Sequence, residues 1–380
     1  MAVYLDCAAT TPLDPHVLDV CVRYLRDDFG NAGSRTHAPG QEARRAVERA
    51  RDQVAAVAKA QRGDIIFTSG ATEANNLALL GLEQHGRQSG KTHLITTAIE
   101  HRAVLEPLEE LERRGFTLTV IRPNANGVID PQTISQSIRP NTLLVSVMQV
   151  NNETGAIQPI QEIAEQIVNE PVYFHTDASQ GFAKSPEALH HSRIDLISLS
   201  AHKICGPKGV GALIARRRGR EKPPLQPLTF GGGQERGLRP GTLPVALIAA
   251  LGEAAERWSR AATERQQAGK HFRQQILDGL APLDPQINGD PEQSLPFILN
   301  LSIPGFESNE VMQAWEHLAA VSSGAACSAQ TYTCSPVLAA MGIGGDRAAG
   351  AIRLSWCHLS ELPDTKAMVA TLQEARLARV

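Results

Sequence analysis

The sequence predicts an α/β protein, a large domain on a mostly parallel seven-stranded sheet with a smaller α+β domain beside it. Three observations carry that prediction. Short apolar runs (DIIFT, THLITTA, TLLVSVMQ, VYFHTDA, DLISLSAH) recur between segments of helical period, the pattern of a sheet covered on both faces. The chain has 380 residues with 42% hydrophobic content, enough for a large core and two domains. From about residue 285 onward the alternation gives way to strands such as FILNLSI and AIRLSW mixed with helices.

The elements follow in order. An extended start ends in the proline-rich turn TTPLDP. PGQEARRAVERARDQVAAVAKA, 39–60, sets Ala46, Val47, Ala50 and Val54 against an Arg/Glu face, which predicts an amphipathic helix. In DIIFTSGATEANNLALLGL, 64–82, Ile65, Ile66 and Phe67 read as a buried strand, and TSGAT turns into a helix beginning near Glu73. THLITTA is a strand, HRAVLEPLEELERRG a helix, FTLTVI a strand, DPQTISQSI helical, TLLVSVMQ a strand and IQEIAEQIV a helix. VYFHTDA and DLISLSAH are two more strands, and GVGALIARR adds one that can run antiparallel. FGGGQERGLRPGT, 230–242, breaks the pattern with five glycines and a proline, the composition of a tight functional loop. A long helical region follows over 244–280. The expected division is a large domain over 15–255 and a small one formed by 1–14 and 256–380.

Composition excludes several classes. Charged residues are 20% and the net charge is −3, so no field for nonspecific nucleic-acid binding is implied. The basic run ARRRGREK, 215–222, reads as a solvated turn after a strand. MAVYLDCAATTPLDP lacks a secretory pattern, and no long apolar window suggests a membrane span; a cytoplasmic protein is expected. The six cysteines, at 7, 21, 205, 327, 334 and 357, form no secreted framework and no closely paired zinc motif, so neither disulfides nor a bound metal are expected.

Three stretches point to one cofactor. In SGATEANN, Ser69, Gly70, Ala71 and Thr72 lie between strand and helix, where free N–H groups attract phosphate; alone this is weak, and it lacks the order of an ATP-binding loop. In HTDASQ, Asp177 falls at the C-terminal end of a strand, the edge at which parallel sheets bind ligands. It is either a helix N-cap or the partner of a protonated ring nitrogen. In SLSAHKICGPKGVG, Lys203 follows an apolar strand beside Ser200 and His202; it is either a surface lysine in a glycine-rich turn or an imine-forming amine. Together the groups answer the separate needs of pyridoxal 5'-phosphate: an amine for the aldehyde, a carboxylate for the pyridine nitrogen, and donors for the phosphate. IEHRAV places His101 just beyond another strand end, where its ring could cover the cofactor.

Along its whole length the chain resembles the NifS/IscS-type cysteine desulfurases, a branch of the class V aminotransferase-like, fold type I pyridoxal phosphate enzymes. VYLDCAATTP, FTSGATEANN, EHRAV, VNNETGAIQPI, HTDASQ, SAHKICGPKGVGAL, GGGQERGLRPGT, SSGAAC and AIRLSW carry the resemblance in order and spacing. It implies that Lys203 holds the aldehyde, His101 stacks on the ring, Asp177 pairs with the ring nitrogen and Gln180 bonds the ring hydroxyl. Gly70, Ala71, Thr72, Ser200 and His202 would receive the phosphate, and Thr242 would reach the partner subunit's phosphate in a homodimer. Asn152 and Arg353 would hold the substrate carboxylate, with Asn31 assisting; a guanidinium suits a carboxylate by its paired donors.

The resemblance selects Cys327, in SSGAAC, as the thiol that takes sulfur from L-cysteine as a persulfide and hands it to a protein acceptor, with L-alanine released. Lys203 would move the α-proton and His101 the thiol proton. Cys334 is an inert small residue or a secondary relay. A related pyridoxal phosphate lyase or aminotransferase is the alternative activity. Three positions depart from the family: Cys7 stands where asparagine or tyrosine is frequent, Cys205 where an aromatic residue is, and Pro240 where serine is usual, stiffening the Thr242 loop. The chain stops after EARLARV, short of the extension that helps iron–sulfur members dock their scaffold. A dedicated member serving DNA phosphorothioation is therefore expected, with iron–sulfur assembly or tRNA thiolation as alternatives and no direct grip on nucleic acid.

Overall fold

The computed structural model describes residues 2–323 and 335–378. Its strands are β1 (Val3–Tyr4), β2 (Ile65–Thr68), β3 (His93–Thr97), β4 (Thr117–Ile121), β5 (Thr142–Ser146), β6 (Tyr173–Asp177), β7 (Leu196–Ser200), β8 (Gly211–Ala215), β9 (Gln286–Ile287), β10 (Ile298–Ser302), β11 (Ala319–Ala320) and β12 (Ala351–Ser355). The large sheet has seven strands in the order β2-β8-β7-β6-β5-β3-β4. Strands β4, β3, β5, β6 and β7 pair in parallel, while β8 runs antiparallel to both β7 and β2.

Strand periodicity sorts the apolar residues onto two faces. Ile65, Phe67, Ile95, Val145, Ile197 and Ile214 join one core, whereas Ile66, Leu94, Leu144, Leu196 and Leu213 join the other. Because both faces are covered, β2, β3, β5, β7 and β8 are buried at every position. This is why these runs are rich in apolar residues on both faces rather than strictly alternating. Within the large sheet, the edge strand β4 exposes residues to solvent along its length.

The chain's start is built into the C-terminal elements. β1 pairs in parallel with β11, and Asp6 bridges to Ser355 of β12. β12, β10 and β9 form an antiparallel sheet. The helical region expected over 244–280 is two helices, Val245–Arg260 and Ala262–Leu280, because Ala261 leaves helical geometry (φ −104, ψ 10).

The helix Ala38–Val57 lies close against Val245–Arg260 through small residues, among them Ala46, Ala50, Ala246 and Ala249. Gly252 is the tightest point: a Cβ there would sit 2.6 Å from Ala50 Cα. Gly252→Ala should therefore destabilise the protein by about 1–2 kcal/mol in urea unfolding, since overpacking against backbone outweighs the gain in helix propensity of about 1 kcal/mol.

The basic run is less solvated than its composition suggests. Arg216 is buried and donates to the carbonyls of His191, Ile194, Leu189 and Ala58. Arg218 pairs with the buried Asp195 and lies over the Tyr173 ring. Carbonyls left over where short turns end require donors, and these guanidinium groups supply them. Among the described residues no helix is long and apolar enough to cross a membrane.

Candidate active site

A cavity of about 430 Å³ opens at the C-terminal ends of β2, β6 and β7, and it gathers residues from the length of the chain. Of the residues singled out in the sequence, Gly70, Ala71, Thr72, His101, Asn152, Asp177, Gln180, Ser200, His202, Lys203 and Arg353 all line it. Thr242 is exposed and Asn31 is exposed, its Oδ1 accepting from Gly33 N–H at 2.8 Å; neither lines the cavity. Cys327 and Cys334 lie outside the described residues.

One end of the cavity is shaped for an anion. Gly70 precedes the helix Ala71–Leu80, which begins two residues before the expected start. Gly211 of β8 presses on this turn, where a Cβ would lie 2.7 Å from Gly70 Cα. His202 accepts from or donates to Thr10 Oγ1 through Nδ1 at 3.2 Å. Burial, reinforced by Lys203, Lys208 and Lys184, pulls its imidazole down to about 4, so the ring is neutral at neutral pH. With Thr10 donating to Nδ1, the neutral ring carries its proton on Nε2 and can donate to a phosphate oxygen.

In the middle, Lys203 Nζ donates to the carbonyls of Ala8 and Ala9, at 2.6 and 2.7 Å. Asp177, buried at the end of β6, accepts from Asn75 Nδ2 at 2.7 Å and from Ser179 N–H at 2.9 Å. Gln180 Nε2 donates to Ala8 O at 2.8 Å. His101 caps the helix Arg102–Arg113, its Nδ1 accepting from Ala103 N–H at 3.1 Å, which leaves Nε2 as the protonated nitrogen. Two oxygens of cavity-lining amides, Asn75 Oδ1 and Gln180 Oε1, are buried without a hydrogen-bond partner. A phosphorylated pyridine with a ring hydroxyl and an aldehyde fits such a cavity: it needs a carboxylate, an amine, amides on its ring substituents and donors around its phosphate.

At the far end Arg353 of β12 donates to Asn152 O at 2.9 Å and to Asp6 Oδ1 at 2.6 Å, and its Nε is buried without a partner. The described residues flanking 324–334 attach here. Ser322 pairs with the Arg353 backbone, and Ser335 Oγ donates to Glu153, the neighbour of Asn152. Burial pushes the Glu153 carboxyl up to about 7, against the opposing effects of Ser335, Arg353 and His101.

Asp6, Asn75 and Glu100 were not anticipated. Glu100 accepts from Thr97 Oγ1 and Met148 N–H, both at 2.8 Å. Burial pushes its carboxyl up to about 8; those two bonds oppose the shift and the charge of Asp177 adds to it. The folded protein keeps this proton to about pH 8, whereas the unfolded chain releases it near 4.5. The unfolded state therefore binds fewer protons in that window, and stability falls as pH rises through it. Glu100→Gln retains an oxygen for both donors. It should raise stability at about pH 9 by about 2 kcal/mol or more, with the gain fading toward about pH 5, as read from urea unfolding across pH.

The Aminotransferase class-V family matches residues 3–368. The cysteine desulfurase of Homo sapiens is 44% identical over 92% of this chain and 76% of its own length. The cysteine desulfurase IscS of Vibrio cholerae (strain M66-2) is 43% identical over 94% of this chain and 88% of its own. Among solved structures, a NifS-like protein superimposes with a TM-score of 0.90 at 34% identity, covering 100% of both chains. DndA from Streptomyces lividans superimposes with a TM-score of 0.82 at 46% identity, covering 93% of this chain and 99% of its own.

Proposed function

The chain belongs to the cysteine desulfurases of the aminotransferase class-V family, and on that premise we propose that Lys203 and Cys327 act on one bound L-cysteine. The observation that carries this reading is a single cavity holding Lys203 and Arg353, with Ser322 and Ser335, which flank the Cys327 segment, both attached at its Arg353 end. Pyridoxal phosphate, the cofactor of these enzymes, withdraws electrons from the amino acid joined to it.

The chain's residues then divide the work. Lys203 would hold the cofactor aldehyde, and its Nζ would take the substrate α-proton. Asp177, held by Asn75 and Ser179, keeps the ring nitrogen protonated. Gln180 meets the ring hydroxyl; Gly70, Ala71, Thr72, Ser200 and His202 meet the phosphate. Arg353 receives the substrate carboxylate, with Asn152 beside it and its unpartnered Nε available. Asn31, away from the cavity, assists only after a rearrangement of its segment. The His101 ring would lie against the cofactor, and its Nε2 would move the proton of the substrate thiol. The Cys327 thiolate would attack that sulfur; the carbon–sulfur bond breaks with its electron pair left on the substrate carbon, which takes up a proton so that the amino acid leaves as L-alanine, and the sulfur stays on Cys327 as a persulfide.

Turnover of L-cysteine carrying labelled sulfur, followed by digestion, tests this directly. The label should appear on the peptide containing Cys327 with L-alanine released in equal amount. Cys327→Ala should lose the label and the alanine together while still binding the cofactor. Label on another cysteine, or pyruvate in place of alanine, would sink the reading.

We assign residues 15–255 to the cofactor domain and 1–14 with 256–380 to the small domain. A homodimer is supported by Thr242, exposed and outside the cavity, and by Phe230, 85% exposed on the same loop; light scattering of the purified protein would read twice the chain mass. The cytoplasm suits a reactive thiol. The 46% identity to DndA favours DNA phosphorothioation as the sulfur's destination, with delivery to a protein acceptor rather than to DNA. The IscS relatives speak for iron–sulfur assembly or tRNA thiolation. Persulfide transfer to candidate acceptor proteins from each route would decide between them.

A further inference from the structure

Beside the cavity, and not lining it, three thiols converge. Cys7, Cys205 and Cys357 are all buried and free. Cys357 is the common hydrogen-bond partner of Cys7 and Cys205. The sulfurs of Cys205 and Cys357 and a ring nitrogen of His358 lie within 4.8 Å of one another. The three segments meet because Lys203 pulls in the carbonyls of Ala8 and Ala9, Cys205 N–H donates to Thr11 Oγ1 at 2.9 Å, and Cys7 N–H donates to Ser355 O at 3.1 Å. Cys205 is held at a φ of 60°, a conformation that a non-glycine residue keeps only when its surroundings impose it.

Ordinary packing of small side chains leaves two features of this cluster unexplained. His358 Nδ1 is buried with no hydrogen-bond partner, although the other ring nitrogen, Nε2, lies 3.5 Å from Asp14 Oδ2. A carboxylate on one imidazole nitrogen with the other left vacant is how metal-binding histidines are oriented. Arg265 also faces Cys205 and Cys357, and its Nη1 is buried without a partner.

We propose that Cys205, Cys357 and His358, with Cys7 as the fourth donor, form a closed site for a thiophilic divalent cation of the zinc class. Metal–sulfur bonds of about 2.3 Å and metal–nitrogen bonds of about 2.0 Å place tetrahedral donors about 3.5–3.8 Å apart, so Cys205, Cys357 and His358 must draw in from within 4.8 Å, and Cys7, which bonds Cys357 but lies outside that group, must move farther to become the fourth donor. On binding, each protonated thiol releases its proton to solvent and Nδ1 contributes its lone pair. A dication on three thiolates and one imidazole carries a single negative charge. Lys184, buried and facing all three thiols, balances it, and Arg265 gains an acceptor in a bound thiolate. The partly exposed edge of His358 is the entry side, its side chain 18% accessible. The ion would staple the chain's start, the Lys203 turn and the end of β12 beside the cofactor cavity.

Metal analysis of the full-length holoenzyme after incubation with zinc and extensive dialysis tests the site, independently of any turnover. The expected result is about one zinc per chain, falling below about 0.1 in Cys357→Ser and Cys205→Ser and unchanged in Cys327→Ala, which separates this site from binding at the persulfide cysteine. Should the serine variants fail to fold, X-ray absorption on the unmodified protein decides. Sulfur neighbours at about 2.3 Å together with nitrogen at about 2.0 Å support the site. Zinc content equal in the serine variants, no zinc retained by the unmodified protein, a first shell without sulfur, or a Cys205–Cys357 disulfide in the purified protein would each overturn it.

Discussion

Replacing Lys203 with alanine is expected to lower L-cysteine turnover by about 10³-fold or more, the scale of losing a proton-transfer group that acts on the substrate itself. The protein should stay folded. Lys203 Nζ donates to the carbonyls of Ala8 and Ala9, while most of the cavity wall comes from strand ends and helix starts. The visible absorption of covalently held cofactor should vanish, while pyridoxal phosphate still binds more weakly through Asp177, Gln180, Ser200 and His202. Lys203→Arg keeps the positive charge but offers no neutral amine at working pH, so it should be as inactive as the alanine variant. A Lys203→Ala protein with the absorption of the parent and near-normal rate would refute the assignment.

The largest loss of stability is expected from Glu235→Ala, about 3–5 kcal/mol, because it strands a buried arginine. Arg51 donates through Nη1 and Nη2 to both Glu235 oxygens, at 2.8 and 2.6 Å, and lies over the Phe67 ring. The same carboxylate accepts Phe67 N–H at 2.7 Å, tying the loop 230–242 to β2. Glu235 and Arg236 hold left-handed conformations, φ 46 and 61, that this anchoring sustains. Losing the carboxylate should release the loop, so Thr242 loses its placement and activity falls with stability. Urea unfolding and steady-state turnover measure the two effects. Replacing Arg51 by Met in the same chain should recover much of the stability, since no unpaired charge remains; equal instability of the double variant would mean the loss comes from the loop and not the stranded cation.

Much of the architecture was legible because it is local. Strands such as Ile65–Thr68 and Gly211–Ala215 announce themselves by short apolar runs, which arise because both faces of the sheet are covered. The turns that follow them place Thr72, Asp177 and Lys203 at strand ends without any knowledge of packing. The helix break at Ala261 was not legible, since no glycine or proline marks it. Arg216 and Arg218 were misread as solvated because charge says nothing about which carbonyls lie nearby.

At the site, the separate requirements of one cofactor could be matched to SGATEANN, HTDASQ and SAHK, so twelve of the residues singled out, Ser69 among them, do line one cavity. Asn75 and Glu100 sat inside motifs already noticed, yet only their three-dimensional contacts, with Asp177 and with Met148, show what they do. Asp6 on Arg353 spans 347 residues of sequence, beyond the reach of any spacing rule.

The sequence by itself determined the alternation of strands and helices and the chemistry of the amine, carboxylate and imidazole that the cavity requires, because periodicity and residue type are properties of short stretches. Tertiary structure alone decided which distant groups share an environment: Glu100 beneath Asp177, Arg51 on Glu235, and Cys7 with Cys205 and Cys357. Burial and long-range contact set the charge state and partners of those groups, and both exist only once the chain has closed on itself.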